Sequence, residues 1–191
     1  MKSEGIAVFE TPLGTCGVAW NAHGLCALQL PEGDASALRT RLRRRLPGMP
    51  EREPPRWVRQ LIGDIDALFR GVVVDLSQVP LDLRHVPEMD RRVYDIVRGI
   101  PPGSTLSYGQ VAERLGDRQL ARAVGRALGR NPFAPVVPCH RVLGAGGRPG
   151  GFSAHGGLRT KLQLLTVEGA SPSGEPDLFA TPRRGEGDNA E

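Results

Sequence analysis

Apolar residues in the first thirty positions come in short runs broken by turn residues. "IAVFETPLGTCGVAW" and "GLCALQL" predict strands, with turns at "TPLG" and "NAHG". The period then lengthens. In "ASALRTRLRRRL", Leu38, Leu42 and Leu46 recur every fourth residue, which puts them on one face of a helix. "PRWVRQLIGDIDALFRG" repeats the pattern, with Pro55 near its start and Gly71 as its stop. "VVVDLSQVPLDL" follows and reads as extended. Strands followed by helices predict a small α/β or α+β domain ending at about residue 86.

The second half is mostly helical in pattern. "PEMDRRVYDIVRGIPPG" places Met89, Val93, Ile96, Val97 and Ile100 at helical spacing and ends at "PPG". In "STLSYGQVAERLG", Ser107 and Gln110 fit a capping box, Val111 and Leu115 supply the buried side, and Gly116 is placed to close the helix. Asp117 can cap a further helix, "RQLARAVGRALGRN", which Pro132 ends. Two short helices meeting at a glycine-containing turn form a helix-turn-helix pattern, weak by itself because helical hairpins are common. Arg118, Arg122, Arg126 and Arg130 recur every fourth residue and predict a basic stripe, with Gly125 a notch within it. Such a stripe is either a solvated face or a surface that follows phosphates. "LRTKLQLLTVEG" predicts a last helix burying Leu158, Leu162 and Leu165 and closing at Glu168–Gly169. The Pro-, Gly- and acid-rich residues 171–191 are expected to be a disordered tail.

Composition changes this picture little. The 191 residues suit one domain or two small ones. A formal charge of +4 permits an acidic partner without requiring one. There is no apolar run long enough for a signal peptide core or a membrane span. The odd number of cysteines, Cys16, Cys26 and Cys139, argues for reduced thiols in a cytoplasm rather than a disulfide framework.

Cys139 lies in "PVVPCHRVLGAGG". A cysteine in an apolar run is usually a small core residue. Here His140 and Arg141 follow it directly, and burying that pair without partners would be costly. Pro138 fixes its own φ and restricts Val137, so the approach to the thiol is stiff, as suits a nucleophile that must be aimed. A thiol reacts as the thiolate, which a neighbouring base or cation favours. Glu168, at the end of an otherwise apolar helix, is the candidate carboxylate.

"PVVPCHRV" resembles the active-site signature of the O6-alkylguanine-DNA alkyltransferases, the methylated-DNA–protein-cysteine methyltransferases. "IPPGSTLSYGQVA", "ARAVGRALGRNP" and "GGLRTKLQLLTVEG" match in the same order, and "FETPLGTCGVAW" matches the family's N-terminal domain more loosely. The resemblance implies an α+β protein. Residues 1–86 would form a small RNase H-like α/β domain, and residues 87–170 a mainly helical, winged helix-turn-helix-like catalytic domain. It implies irreversible, stoichiometric transfer of an alkyl group from O6-alkylguanine, and from O4-alkylthymine, to Cys139 after base flipping. His140 would act on the thiol through a water, and Glu168 would orient His140. Arg122 would fill the stack in place of the extruded base. Tyr108 would press on the neighbouring phosphate and donate a proton to the leaving base. Arg118, Ala121, Gly125 and Arg126 complete the implied DNA face. Asn131 would be a hinge and Arg141 structural. Pro138, Val142, Phe152, Ser153 and Lys161 would line the substrate pocket. The implied partner is double-stranded DNA containing O6-alkylguanine. No cofactor, metal or membrane is implied, and a monomer is expected, with cooperative loading on DNA left open.

The chain departs from the pattern in "GGFSAHGGL", which is longer than the short Tyr-Ser-Gly-Gly loop of some relatives. Either Phe152–Ser153 match the Tyr–Ser pair and Ala154–His155 are an insertion, or the glycines are matched and His155 falls at the serine; the first alignment is preferred. Met89 stands where many relatives have Phe. Cys16, His23, Cys26 and His85 do not reproduce a paired-cysteine zinc spacing, so Cys16 and Cys26 are expected in strand core and His23 in a turn. A lesion sensor that binds without repair would dispense with Cys139, and a helix-turn-helix regulator would have no use for the Cys–His pair. A thiol hydrolase would need an oxyanion hole and would turn over.

Overall fold

The computed structural model describes residues 4–31, 34–149 and 157–170. Three strands, β1 (Gly5–Thr11), β2 (Gly14–Asn21) and β3 (Gly24–Gln29), form an antiparallel meander in chain order. Both hairpin turns fall where the sequence predicts them. The period-2 pattern gives the sheet two buried faces. Cys16, Val18 and Trp20 enter the main core, while Ile6, Ala19 and Ala27 pack on α1 (Ala35–Arg45) through Leu38 and Leu42. α1 can lie this close only because Gly17 faces it: a Cβ there would run into the methyls of Leu38 and Leu42. Asp34 caps α1, accepting from the Ala37 N–H at 2.8 Å.

α2 (Arg56–Phe69) buries Val58, Leu61, Ile65 and Leu68 against the same core. Residues 72–83, expected as extended chain, form no strand. An Asx turn (Ser77 N–H to Asp75 at 2.8 Å) and a tight turn (Val79 N–H to the Leu76 carbonyl at 3.2 Å) interrupt them, and Pro80 has no N–H to give to a ladder. What remains is one bridge between Leu81 and Leu25. Val72 and Val73 are exposed.

α3 (Glu88–Arg98) buries Val93, Tyr94 and Val97, and the Tyr94 hydroxyl donates to the Ala127 carbonyl at 3.1 Å. The predicted capping box is complete: the Gln110 N–H donates to Ser107 Oγ at 3.1 Å, and the Ser107 N–H to Gln110 Oε1 at 2.7 Å. It starts α4 (Tyr108–Arg114). The predicted helix from Arg118 is broken. Asp117 caps a single 3₁₀ turn over Arg118–Leu120, and α5 (Ala121–Gly129) begins after it. Two short parallel strands, β4 (Leu106–Ser107) and β5 (Val142–Leu143), tie the α4 entrance to the cysteine segment. α6 (Gly157–Val167) closes the described chain.

The buried face of α6 differs from expectation. Leu158 is exposed, Leu162 is half-buried, and Leu164 joins Leu165 in the interior. Leu158 stands one residue after the first residue of α6, whereas Leu164 and Leu165 lie deeper along the helix. A single core runs from Trp20, Leu25 and Leu61 through Val93, Val111 and Val124 to Val137 and Cys139, so both halves of the chain support the cysteine. Among the described residues no helix is long and apolar enough to cross a membrane.

Candidate active site around Cys139

Asn131 closes the loop between α5 and the cysteine. Its Oδ1 accepts from the Phe133 N–H at 2.9 Å and its Nδ2 donates to the Val137 carbonyl at 2.8 Å. Residues 133–138 are all buried, so those polar groups need partners within the protein. Pro138 then leads into one 3₁₀ turn, Cys139–Arg141, with the Arg141 N–H on the Pro138 carbonyl at 2.9 Å. A strand would send Cys139 and His140 to opposite faces; the tight turn lets three consecutive side chains fan out within one buried volume.

The carboxylate expected from the end of α6 is there. Glu168 Oε1 lies 2.9 Å from His140 Nε2. Arg141 grips the same carboxylate with two bonds, Nε to Oε2 and Nη2 to Oε1, both at 2.8 Å, and donates Nη1 to the Ile100 carbonyl at 2.5 Å. The side chains of His140 and Glu168 are fully buried. Burial alone would raise the Glu168 pKa, but the bonds from His140 and Arg141 outweigh it and hold the pKa at about 2. Burial lowers the His140 pKa, with Glu168 only partly offsetting it. Burial also raises the Cys139 thiol, against smaller downward pulls from Asn131 and Lys161. The resting site therefore holds a protonated thiol, a neutral imidazole, a carboxylate and a guanidinium. His140 Nδ1 is buried and makes no hydrogen bond among the described residues.

Lys161 of α6 is wholly buried, which is unusual for its type. Its Nζ donates to the Val142 carbonyl at 2.5 Å and lies 5.8 Å from the Tyr108 ring centroid. Burial lowers its pKa to about 8. Tyr108, half-buried at the start of α4, has its pKa raised by burial and by Cys139. Tyr108, Lys161, Val142, Pro138 and Asn131 thus surround the cysteine. Phe152 and Ser153 lie outside the described residues.

The basic stripe is only half available. Arg122 and Arg126 are exposed on α5, with no hydrogen bond or ion pair among the described residues. Arg118, on the 3₁₀ turn, pairs with Glu113 at 2.9 Å. Arg130 is turned away: its Nε and Nη2 reach Asp90 at 2.9 and 2.7 Å. Asp90 is 2 % exposed, and only a bidentate cation makes that burial tolerable. The pair brings α3 to the residue next to Asn131. Its sequence signal was an acid among the core positions of α3. Gly125 faces Tyr108, with room for an ordinary Cβ contact at 3.9 Å. Ala121 packs half-buried at the start of α5.

Cys16 is buried in the main core and burial pushes its thiol up to about 12. Cys26 is half-buried and raised likewise, with Asp82 adding to the effect. His23 sits in the second hairpin turn. Among the described residues no three His, Cys, Asp or Glu side chains are grouped to hold a metal ion.

Known proteins are similar in both sequence and fold. A family model described as "6-O-methylguanine DNA methyltransferase, DNA binding domain" matches residues 88–170. A methylated-DNA–protein-cysteine methyltransferase of Methanothermobacter thermautotrophicus is 37% identical over 164 residues, which are 86% of this chain and 85% of the relative. One from Mycolicibacterium paratuberculosis is 45% identical over 116 residues, covering 61% of this chain and 68% of that one. Among solved structures, Mycobacterium tuberculosis OGT in complex with DNA superposes with a TM-score of 0.70 at 33% identity, covering 86% of this chain and 92% of that one. The fold is thus the mixed helix-and-sheet architecture of these proteins, and the chain belongs to the methylated-DNA–protein-cysteine methyltransferase family.

Proposed function

We propose that this protein repairs alkylated DNA by moving the alkyl group of O6-alkylguanine onto Cys139. The observation that carries this reading is the buried Cys139–His140–Arg141 turn, with His140 Nε2 2.9 Å from a Glu168 carboxylate that Arg141 holds ionised. The carboxylate keeps the imidazole proton on Nε2, so Nδ1 presents a lone pair. That nitrogen takes the thiol proton through a water. The thiolate attacks the alkyl carbon in line, the C–O6 bond breaks, and the electron pair leaves on the guanine. A proton delivered through Tyr108 neutralises the base, and the proton that His140 took from the thiol passes on to replace it on Tyr108. General acid–base help of this kind contributes about 10²–10⁴-fold.

O6 is inside the duplex, so the nucleotide must be extruded. The exposed arginines of α5 serve that extrusion. Arg122 fills the vacated stack and Arg126 meets the backbone. Arg118, Ala121 and Gly125 complete the surface, and Tyr108 presses on the phosphate beside the target. Asn131 is the hinge joining that surface to the cysteine, and Arg141 is structural. Pro138, Val142, Lys161, Phe152 and Ser153 form the pocket. Residues 1–86 serve as an RNase H-like unit and residues 87–170 as a winged helix-turn-helix unit. The protein works as a monomer in the cytoplasm and accepts O4-alkylthymine as well. A thioether offers no route back to the thiol, so each molecule acts once.

The test is intact mass after mixing with a duplex carrying one O6-methylguanine. A gain equal to one CH₂, mapped to Cys139 and absent from Cys139→Ala, supports the reading. Tight lesion binding with no gain in mass overturns it.

A further inference from the structure

α3 grips the far end of α5 at three points. Asp90 holds the Arg130 guanidinium with both carboxylate oxygens, at 2.9 and 2.7 Å. One turn further along α3, the Tyr94 hydroxyl donates to the Ala127 carbonyl at 3.1 Å, an oxygen that also accepts from the Arg130 N–H at 3.1 Å. The Tyr94 ring stands edge-on to Phe133, with centroids 6.1 Å apart. Residues 90 and 94 share one face of the helix. Together they fix Ala127 and Arg130 before Asn131 and Phe133 after it. An acid in the first turn of a helix suits its dipole, and Glu88 does that from an exposed position. The dipole does not account for Asp90, which is 2 % exposed. Nor is net stability a sufficient reason, because apolar side chains of similar size commonly serve as well as a buried ion pair. What a bidentate pair adds is a fixed distance and orientation.

Asn131 is where that geometry reaches the thiol. Its side chain bridges the Phe133 N–H and the Val137 carbonyl, and a hydrogen bond from it to Cys139 opposes the effect of burial on the thiol. We propose that Asp90 and Tyr94 are positioning residues for Cys139: by clamping the end of α5 they keep the Asn131 amide against the thiol. Arg130 is the link, since Asp90 holds its side chain and its backbone leads directly into Asn131. The inference rests on Cys139 being the alkyl acceptor, as proposed above, and concerns how that thiol is held ready.

The test is the rate of Cys139 alkylation by iodoacetamide in the full chain, without DNA, from neutral to alkaline pH. Mass spectrometry of the Cys139 peptide separates it from Cys16 and Cys26. In Asp90→Asn and in Arg130→Gln the profile is expected to move to higher pH. The rate at neutral pH should fall about three- to tenfold, as for the loss of one hydrogen bond to the sulfur. Tyr94→Phe keeps the ring on Phe133 and loses only the hydroxyl bond, so its shift is smaller and in the same direction; it decides the matter if Asp90→Asn does not fold. Arg130→Lys, which retains the charge, recovers part of the rate lost in Arg130→Gln. Glu88→Gln removes an exposed charge from the same helix and leaves the profile unchanged. The titratable groups around the thiol are His140, Tyr94, Tyr108 and Lys161. All but Tyr94 are the same in every variant, and burial keeps Tyr94 uncharged over this range. Losing a negative charge near the thiol would by itself favour the thiolate, and losing a positive one would disfavour it. A shift to higher pH in both Asp90→Asn and Arg130→Gln therefore marks a change of position, and opposite shifts, which mark a direct charge effect, overturn the proposal. A neutral-pH rate at or above the parent's in Asp90→Asn or Tyr94→Phe also overturns it, since a contact that only stabilises the fold would, once weakened, expose the buried thiol more often and speed the reaction. If the parent takes no alkyl group from O6-methylguanine in DNA, the acceptor reading falls while the iodoacetamide profiles still decide this one.

Discussion

Replacing Glu168 by Gln keeps the size of the side chain and removes its charge. The carboxylate accepts three bonds, one from His140 and two from Arg141. A Gln amide has one oxygen, and its NH₂ would face donors that need an acceptor. Arg141 would be left with its guanidinium, 8 % exposed, bonded securely only to the Ile100 carbonyl. Breaking one side of a buried ion pair costs about 3–5 kcal/mol. For a chain of this size each kcal/mol moves the thermal midpoint by about 2–4 °C, so Glu168→Gln should melt roughly 6–20 °C lower.

The partner variant separates this from ordinary loss of packing. Arg141→Met alone leaves the Glu168 charge buried beside His140. The double variant, Arg141→Met with Glu168→Gln, has neither charge stranded, and its loss should be smaller than the sum of the single losses by about 2 kcal/mol or more. Thermal unfolding of the four proteins by circular dichroism measures the cycle. Additive losses, or a midpoint shift for Glu168→Gln of no more than a degree or two, would refute the claim that Arg141 and Glu168 act as one unit.

Arg122→Ala should slow transfer from duplex lesions by at least about tenfold, the equivalent of losing about 1.4 kcal/mol, while sparing transfer from a free alkylated base; single-turnover quench kinetics on both substrates checks this. Asp90→Asn should lower stability by about 1–3 kcal/mol, measured by urea unfolding, because it weakens the only described anchor of the Arg130 guanidinium. Acid should destabilise the protein in two stages. His140 has a depressed folded pKa, so the stability it contributes is present above its ordinary 6.5 and is lost as pH falls through its lowered value. Glu168 contributes stability above the ordinary carboxylate range that is lost as pH falls toward about 2. A thermal midpoint that does not move between neutral pH and pH 4 would contradict the His140 assignment.

The sequence was most readable where structure is local. Both hairpin turns and the Ser107–Gln110 capping box follow from residues within a few positions of one another. The stripe of arginines misled because its period is local and its partners are not: Asp90, which claims Arg130, is 40 residues away. Leu158 and Leu164 have equal hydrophobicity, and only packing decides that the second is buried. For residues 72–83, β-branched content suggested extended chain, but Pro80 and the Asp75 side chain direct the backbone into turns. Cys139 was singled out by the polar pair that follows it. Its link to Glu168 came from one acid at the end of an apolar helix, together with the family resemblance, and the geometry joins His140 to that acid across 28 residues.

On the function proposed above, the four groups at the site explain how a buried thiol could act as a nucleophile. At rest the thiol and imidazole are neutral, and the Glu168 and Arg141 charges cancel. Moving the thiol proton to His140 creates a thiolate and an imidazolium, and the sum is still zero. Burial opposes that step, as the raised thiol and lowered imidazole pKa both indicate. Glu168 works in the other direction, since the new imidazolium forms against a carboxylate already in place at 2.9 Å. Without Arg141 that carboxylate would tend to take up a proton itself, and its help would be lost just where it is needed. The thiol is therefore inert while it rests and needs only a charge separation, with no added charge, to react. That balance suits the single-use acceptor proposed above.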